Sequence, residues 1–521
     1  MLRINVESLA RVVVLALTAT VASTLQAASE AARSADSFVD SMGINTHFGN
    51  AIYTGGNAYA DRRLDAKLAA LGIRHLRDHT WNDTGLSIID DLHASYGLRT
   101  TLILGETTRS PAELVNLLKA HPAYEAIEGL NEPDFTTRSY NGLTDNRTAN
   151  DYTATRAFQN DLYAAVKGDP QTAGVTVLSP AMGRSNRSQY LQPIQFDVAA
   201  MHSYAWASPA TSANEPSYGL DTAISDMAAL RGTKPLMATE TGYYNEPAAN
   251  SRAIPEEVAG KYMPRLFAEF FNRGVERTYL YELADQGPDK SLREQNFGLV
   301  RFDMSEKPAF AALKNLIDLL EEPQAPTFTP SSLDYSLTST ANLSKLHHTL
   351  LQKSNGSFYL LLWQEVLSYN SITKTNINVP PIPVTLSLQQ PIGQAAAYLP
   401  NESATAVATF HNTSSISLNV TDQMLVLELS IAAPYSSADF DENGMVDGLD
   451  LNRWTAGFAT GESTGHLQGD SDADADVDGQ DFLTWQRQLD NSAAAIAVPE
   501  PATLVLICCA LAAGAYSALR G

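Results

Sequence analysis

The sequence predicts a (β/α)8 TIM barrel, followed by a small all-β sandwich and by a short helical module with two acidic loops. Three observations lead to this prediction. Between residues 40 and 322, eight short apolar segments alternate with amphipathic ones, as in repeated βα units. From residue 327 to 434 the pattern has the two-residue period of strands, and no helical period is visible. An acidic segment within residues 437–490 then repeats itself with an offset of 31 residues.

Length and composition limit the classes of function. The chain has 521 residues, 44% of them apolar and 18% charged, which is a globular composition with room for more than one domain. Much of the net charge of −23 lies in residues 439–490, which contain 13 acidic residues and only two arginines. An acidic chain without a basic stripe argues against nucleic-acid binding and suggests cations instead. The only cysteines are Cys508 and Cys509 near the C-terminus, so the folded body has no disulfide and no thiol nucleophile.

Residues 1–28 have the pattern of a secretory signal peptide. Arg3 and Arg11 precede a short apolar core, and small residues follow it up to Ala28. The core is shorter than the ~20 residues of a membrane-spanning helix, which disfavours the alternative of an N-terminal anchor. Residues 29–40 are predicted to be a linker.

The predicted barrel occupies residues 40–322. Its strands are Gly43–His47, Ile73–Asp78, Arg99–Leu104, Ala126–Asn131, Gly174–Ser179, Phe196–His202, Pro235–Thr239 and Arg277–Glu282. Helical segments lie between them, and a final one at Lys307–Leu320 closes the series. No glycine-rich phosphate loop follows the first strand, which favours a closed barrel over an open doubly wound sheet.

Two glutamates stand at the ends of predicted barrel strands. Glu132 belongs to an Asn-Glu-Pro turn after the fourth strand, and Glu240 directly follows the seventh. In (β/α)8 proteins the carboxyl ends of the strands surround the active site. Retaining glycoside hydrolysis uses two carboxylates about 5–5.5 Å apart, one as general acid/base and one as nucleophile. A lone glutamate at a strand end is commonly solvated surface, but the pair favours catalysis.

Three short motifs resemble those of clan-A glycoside hydrolases in order and spacing: Asn131-Glu132-Pro133, His202-Ser203-Tyr204 and Thr239-Glu240-Thr241. The resemblance covers about residues 40–322. It implies that Glu132 is the acid/base and Glu240 the nucleophile, with no cofactor needed for catalysis.

The same resemblance implies supporting roles for four neighbours of the two glutamates. Asn131 would bind the sugar 2-hydroxyl, and Arg77 would keep Glu240 ionised. Tyr204, in a His-x-Tyr pattern with His202, would hydrogen-bond the nucleophile. The structural alternatives are a strand cap for Asn131, a surface ion pair for Arg77, and ordinary packing for the other two.

Further substrate contacts are expected near strand ends. The candidates for sugar stacking, with core packing as the alternative, are His47, Trp81, Trp206 and Tyr243. Clan members often have a tryptophan at the end of strand 8, where this sequence has Tyr281 and Glu282. Either residue is a candidate to replace it, and the departure leaves the sugar unassigned.

Residues 327–434 are predicted as a β-sandwich, with strands such as Phe358–Trp363 and Met424–Leu429. A domain of this kind either supports the barrel or binds carbohydrate, and the sequence leaves both roles open.

The repeat places Asp439–Asp450 in register with Asp470–Asp481. Both copies have oxygen-bearing side chains at loop positions 1, 3, 5, 9 and 12, while position 7 would offer a backbone carbonyl, as in an EF-hand. The expected calcium ligands are Asp439, Asp441, Asn443, Met445, Asp447 and Asp450 in the first loop, and Asp470, Asp472, Asp474, Asp476, Asp478 and Asp481 in the second.

The two copies, over residues 437–490, resemble a dockerin type I module, which implies structural Ca²⁺ and a cohesin-like partner. Ala475 stands where the first loop has Gly444, at a sharp turn, so we expect weaker calcium binding there. A solvated acidic linker is the alternative. The matching Trp454 and Trp485 argue against it, because a linker has no reason to keep their spacing.

Residues 498–521 combine a Pro-Glu-Pro motif, an apolar run at Leu504–Leu519 and a final Arg520. They resemble a PEP-CTERM sorting signal with a membrane-spanning segment, which implies exosortase-type machinery and a cell-surface, outer-envelope or extracellular location. The apolar run is short for a permanent transmembrane anchor, which is the alternative.

Together these features predict an exported retaining β-glycoside hydrolase that acts on a β-linked polysaccharide or oligosaccharide. Whether it cleaves within chains or at their ends stays open. One rival is a catalytically inactive surface glycan-binding or matrix protein on the same barrel. Another is a scaffold component that works through a cohesin-like partner.

Overall fold

The computed structural model describes residues 23–48, 58–79, 82–205, 214–245, 252–323, 326–430, 436–443, 445–458, 465–472 and 474–489. Residues 1–22, Trp81, Trp206 and the predicted sorting tail lie outside these ranges. Apart from residues 391–393, the chain up to Ser430 forms one compact unit and the rest forms a second. Within the described ranges, no helix has both the length and the apolar character that crossing a membrane requires.

The first unit contains a (β/α)8 barrel, which confirms the barrel part of the predicted fold. In chain order, the elements to the end of the barrel are β1 (Ser23–Ala31), β2 (Arg33–Ser34), α1 (Ala35–Asp40), β3 (Met42–Asn45), α2 (Arg63–Leu71), β4 (His75–His79), α3 (Asp83–Tyr96), β5 (Arg99–Leu104), α4 (Pro111–Ala120), β6 (Tyr124–Leu130), β7 (Ser139–Tyr140), β8 (Leu143–Thr144), α5 (Thr153–Gly168), β9 (Thr176–Leu178), β10 (Ala199–His202), α6 (Leu220–Asp226), α7 (Ala228–Arg231), β11 (Leu236–Thr241), α8 (Glu256–Asn272), β12 (Arg277–Leu280) and α9 (Pro308–Leu320).

Eight parallel strands form the barrel wall, in the order β10-β11-β12-β3-β4-β5-β6-β9. A parallel bridge between Leu178 and Val198 closes the sheet between β9 and β10. Each strand begins and ends within three residues of the prediction, and β5 agrees with it at both ends. Periodicity located the strands well because most of their residues are buried, so that each strand is a short apolar run.

The helix ends follow local sequence signals. Ser110 and Glu113 form a capping box at the start of α4, with Pro111 in its first turn.

The barrel interior is filled partly by Tyr279, whose hydroxyl lies 2.8 Å from the Thr101 hydroxyl. Gly43 makes room for that ring, because a Cβ at this position would lie 2.5 Å from it.

The chain beyond the barrel forms the mostly β region that the sequence predicts, called the β-domain below. Its strands are β13 (Ser332–Ser339), β14 (Leu346–Gln352), β15 (Phe358–Gln364), β16 (Tyr369–Asn370), β17 (Thr375–Asn376), β18 (Ile382–Tyr398), β19 (Ala408–Val420) and β20 (Leu425–Ser430). Instead of two separate sandwich sheets, the main strands form one connected sheet in the order β1-β13-β18-β20-β15-β14-β2, with β19 on β18. Trp363 of β15 is fully buried in the same apolar core as Phe267 of the barrel helix α8, so the β-domain packs firmly on the barrel.

The linker prediction for residues 29–40 is wrong. β1 pairs antiparallel with β13, β2 pairs parallel with β14, and α1 follows at once. Phe38 of α1 is fully buried and its ring centroid lies 5.0 Å from that of Phe271. Arg33 donates to the Phe271 carbonyl at 2.7 Å and covers the same ring. β1 also includes residues 23–28, which belong to the predicted signal peptide.

The second unit contains two matching helices, α10 (Gly448–Gly457) and α11 (Gly479–Gln488). An acidic loop leads into each one. Asp447 and Asp450 form a capping box on α10, and Asp478 and Asp481 form the equivalent box on α11.

Candidate functional site

Glu240 lies near the carboxyl end of β11, inside a ring of polar side chains from neighbouring strands. Arg77 of β4 donates from Nη1 to its Oε1 at 2.9 Å, and the Tyr204 hydroxyl donates to its Oε2 at 3.1 Å. Only 13% of the Glu240 side chain is exposed. These two contacts orient the carboxylate toward the cavity and satisfy it in its ionised form.

Arg77 is the central cation of the barrel interior and is 2% exposed. Besides Glu240 it binds Glu128 through Nε at 2.6 Å and Nη2 at 3.1 Å. It also donates to the side-chain oxygens of Asn45 at 2.8 Å and Asn131 at 3.0 Å. Because the Asn131 oxygen is engaged, its amide NH2 group is the part left for a ligand.

Glu128 is a site residue that the sequence reasoning missed. It is fully buried on β6, pairs with Arg77 and accepts from the Thr239 hydroxyl at 3.1 Å. A charged residue within the apolar run Ala126–Leu130 was the available signal, since a buried carboxylate needs a cation.

Glu132 and His202 complete the centre. His202 Nδ1 lies 3.0 Å from Glu132 Oε1 and 3.5 Å from Glu240 Oε2. One side-chain oxygen each of Glu132 and Glu240, together with a His202 ring nitrogen, lie within 4.8 Å of one another. Glu132 takes a left-handed backbone conformation with φ of +45°, which is uncommon for a residue with a side chain. Such conformations cluster at functional sites.

The charges favour an ionised Glu240. Burial by itself would raise its pKa, but the charges of His202 and Arg77, together with the hydrogen bonds from Arg77 and Tyr204, outweigh burial and hold it below the ordinary 4.5. Burial lowers the pKa of His202, yet Glu240 and Glu132 overcome that effect and raise it above 6.5. The surroundings of Glu240 therefore favour its ionised form, and the same histidine also contacts the second carboxylate, Glu132.

The centre opens into a cavity of about 1150 Å³. Of the residues predicted from the sequence, those that line it are His47, Arg77, Asn131, Glu132, His202, Tyr204, Glu240 and Tyr281. The structure therefore brings together both glutamates and all four of their predicted supporting neighbours.

Two predicted contacts lie elsewhere. Glu282 is fully buried and is not part of the cavity lining; it lies 3.0 Å from His47 Nε2 and within hydrogen-bonding distance of the Tyr59 hydroxyl. Of the two candidates at the end of strand 8, Tyr281 is the one that faces the cavity. Tyr243 is fully buried in the core, where its hydroxyl donates to the Asn214 carbonyl, because the chain folds back over it.

Other cavity residues were not anticipated. Phe135 and Tyr218 line the cavity with 45% and 43% of their surface exposed, and no periodic pattern marks either one. His79 follows Arg77 on β4 and also lines the cavity. Burial and the nearby charges of His47 and Arg77 lower its pKa to about 3, so it is neutral under ordinary conditions.

The acidic loops of the second unit bring oxygen atoms together. Asp439, Asp441 and Asp450 place theirs within 4.8 Å of one another, and the second loop does the same. The equivalent residues there are Asp470, Asp472 and Asp481, while Asp476 and Asp478 also approach Asp481. Asn443, Met445, Asp447 and Asp474 lie on the same two loops. Hard oxygen donors at this spacing fit a calcium ion.

The two repeats are linked by a reciprocal contact. Trp454 Nε1 donates to the Asp478 carbonyl and Trp485 Nε1 donates to the Asp447 carbonyl, both at 2.9 Å. Each tryptophan therefore anchors the loop of the other copy. Ala475 has a φ of +73°, the left-handed conformation that favours glycine, as expected from its place at the sharp turn.

No protein-family profile and no curated protein matches the chain. Among solved structures, the glucosidase from Croceicoccus marinus aligns with a TM-score of 0.53 and 11% identity, over 78% of this chain and 98% of the glucosidase. A family 39 glycoside hydrolase from Bacteroides cellulosilyticus aligns with a TM-score of 0.49 and 13% identity, over 76% and 81% of the two chains. A Bacteroides uniformis beta-glucuronidase gives 0.40 and 14%, over 73% and 42%. At these identities the similarity is one of fold, and the chain shares the fold of the Croceicoccus glucosidase.

Proposed function

We propose that this chain is a retaining β-glycoside hydrolase in which Glu240 is the nucleophile and Glu132 the general acid/base. The observation that carries the proposal is the approach of their carboxylate oxygens to within 4.8 Å, at the ends of β11 and β6. Retaining enzymes place these groups about 5–5.5 Å apart, whereas inverting enzymes need about 6.5–9.5 Å to admit a water molecule.

In the first step Glu240 attacks the anomeric carbon while Glu132 gives its proton to the departing glycosidic oxygen. Arg77 and Tyr204 keep Glu240 anionic and aimed at the cavity. The bond to the leaving sugar breaks and a covalent glycosyl–enzyme ester forms.

In the second step Glu132, now a carboxylate, takes a proton from water, which attacks the anomeric carbon and releases Glu240. His202 Nδ1 lies beside both carboxylates, 3.0 Å from Glu132 and 3.5 Å from Glu240. The Asn131 NH2 group is placed to bind the sugar 2-hydroxyl, a contact that strengthens in the transition state.

The substrate that we propose is a β-linked polysaccharide or oligosaccharide. A cavity of about 1150 Å³ exceeds the roughly 300–1,000 Å³ of ordinary small-molecule pockets, which leaves room for more than one sugar unit. The similarity in fold to a glucosidase supports a glycosidase in general and leaves the sugar open. Export by a signal peptide and sorting through the C-terminal tail are part of the same proposal.

We also infer that the second unit binds Ca²⁺ as a structural ion. Asp439, Asp441 and Asp450 would hold it in the first loop, and Asp470, Asp472 and Asp481 in the second. The ion would neutralise clustered carboxylates and fix the loops that start α10 and α11. A cohesin-like partner remains a proposal from the resemblance to dockerins.

The test uses the purified full chain on aryl β-glycosides and on soluble β-glucans, xylans and mannans. Glu132→Gln and Glu240→Gln are compared with Glu276→Gln, an exposed glutamate immediately before β12 at the other end of the barrel. We expect kcat to fall by at least about 10²-fold in the first two variants and to stay at the parent value in the third. The assay is repeated with a chelator, because Glu132, His202 and Glu240 are close enough to hold a cation. Activity that survives the chelator supports catalysis by the two carboxylates without a bound metal ion.

Proton NMR of the first product decides the stereochemistry. Release of the β-anomer supports double displacement, and release of the α-anomer refutes it. Glycan binding without turnover, unchanged in both glutamine variants, would instead establish the inactive glycan-binding protein.

A further inference from the structure

The loop between β10 and α6 borders the cavity at both of its ends. Tyr204, at its beginning, binds Glu240, and Tyr218, near its end, lines the cavity with 43% of its surface exposed. The returning part of the loop, residues 214–219, is called the cleft segment below. Its position decides where the Tyr218 ring stands.

Two side chains from different parts of the first unit hold the cleft segment. The Tyr243 hydroxyl of the barrel donates to the Asn214 carbonyl at 2.6 Å. The Ser217 amide donates to Glu365 Oε1 at 2.9 Å. Glu365 follows the last residue of β15, so the β-domain itself contributes a contact to the cleft segment next to Tyr218.

Glu365 is fixed in place by buried donors. It is 1% exposed, and its Oε2 accepts from Arg265 Nε at 2.9 Å and from Trp363 Nε1 at 3.0 Å. Arg265 is itself fully buried and donates to the Asp422 carbonyl at 3.2 Å. A buried ion pair adds little net stability compared with apolar packing. Here it leaves one carboxylate oxygen aimed at the Ser217 amide.

We propose that the β-domain helps to form the substrate-binding site. Glu365 positions the cleft segment so that the Tyr218 ring forms a stacking surface for a sugar unit that lies away from Glu132 and Glu240. A tyrosine ring offers an apolar face to the C–H face of a pyranose and a hydroxyl to solvent. This role rests on the proposed glycosidase function. Glu365 is a positioning residue, because it acts through Ser217 and Tyr218.

The variants are Glu365→Gln and Tyr218→Ala in the full chain, with Lys261→Gln as the matched control. Lys261 also joins α8 to the β-domain, but its partner is Asp422 at 2.9 Å rather than Glu365. In Glu365→Gln a single amide oxygen must serve Arg265, Trp363 and Ser217. The buried donors Arg265 and Trp363 bind that oxygen, so the NH2 group of the glutamine faces the Ser217 amide and cannot accept its hydrogen bond.

Two measurements follow on each protein. The first is the deuterium uptake of peptides covering residues 214–220, which needs no substrate. We expect exchange to become roughly fivefold faster in Glu365→Gln, as for the loss of one hydrogen bond, and to stay unchanged in Lys261→Gln. The second is steady-state kinetics on a β-linked hexasaccharide and on the aryl monoglycoside of the same sugar.

Glu365→Gln and Tyr218→Ala should each raise KM for the hexasaccharide about five- to tenfold, and by clearly more than they raise KM for the aryl glycoside. Unchanged exchange in Glu365→Gln overturns the positioning role. Equal losses on both substrates, or normal KM in Tyr218→Ala, overturn the sugar-stacking role. A parent that cleaves no glycoside removes the proposed function, while the exchange data still decide whether Glu365 positions the cleft segment.

Discussion

Replacing Arg77 with methionine should damage both stability and the pH dependence of activity. Arg77 makes five hydrogen bonds to side chains, of which three go to the carboxylates of Glu128 and Glu240. Methionine fills a similar volume without charge, so two buried carboxylates lose their common cation. The expected cost is about 3–5 kcal/mol of unfolding free energy, the usual penalty for removing one member of a buried ion pair.

The pH profile should change in a defined direction. In the parent the pKa of Glu240 is lowered, against the effect of burial, by His202 and Arg77. Its ionisation therefore stabilises the fold above the ordinary pKa of 4.5, and this contribution is lost as the pH falls through the folded-state pKa. Without Arg77 that pKa rises, so the acid limb of kcat/KM should move to higher pH.

A double variant separates stability from function. Arg77→Met/Glu128→Leu removes the buried Arg77–Glu128 pair and leaves only Glu240 without its cation, so it should recover part of the lost stability, because apolar pairs commonly replace buried ion pairs at little cost. Activity should stay low, since Glu240 still lacks its cation. Urea unfolding and pH–rate profiles measure the two effects. A single variant that loses less than about 1 kcal/mol, or that keeps the parent acid limb, would refute this account of Arg77.

Three further predictions concern other parts of the chain. Burial lowers the pKa of His202, but Glu240 and Glu132 overcome that effect and raise it above 6.5. The loss of stability in His202→Gln, measured by urea unfolding, should therefore be largest below pH 6.5 and shrink at higher pH. Gly43→Ala should cost about 1–3 kcal/mol in the same assay, because its Cβ would overlap the Tyr279 ring. Ala475→Gly should relieve about 1 kcal/mol of left-handed strain and tighten Ca²⁺ binding in titration calorimetry, whereas Ala475→Val should weaken it.

Local pattern was enough to predict the barrel and to select its two glutamates. Buried parallel strands are short apolar runs, and Glu132 and Glu240 stand where two such runs stop. Glu128 was missed because a sequence does not show that a charge inside a strand points into a barrel. Only the closed sheet brings it to Arg77, 51 residues away along the chain.

The local sequence does not show which aromatic residues line the cavity and which are buried in the core. Tyr243 and Tyr218 both follow barrel strands, yet one is fully buried and the other lines the cavity. The difference arises because the cleft segment folds over Tyr243 and presents Tyr218. The linker prediction for residues 29–40 failed for a similar reason, since their partners are the distant strands β13 and β14.

Those partnerships have a consequence for how the protein is made. Glu30 lies opposite Leu333 in the sheet, roughly 300 residues later in the chain. During synthesis the first strand leaves the ribosome long before its partner exists, because the whole barrel sequence lies between the two parts of this sheet. Contacts this distant slow folding. This sheet therefore cannot be completed by stepwise folding from the N-terminus, because β13 and β14 are needed to pair with β1 and β2.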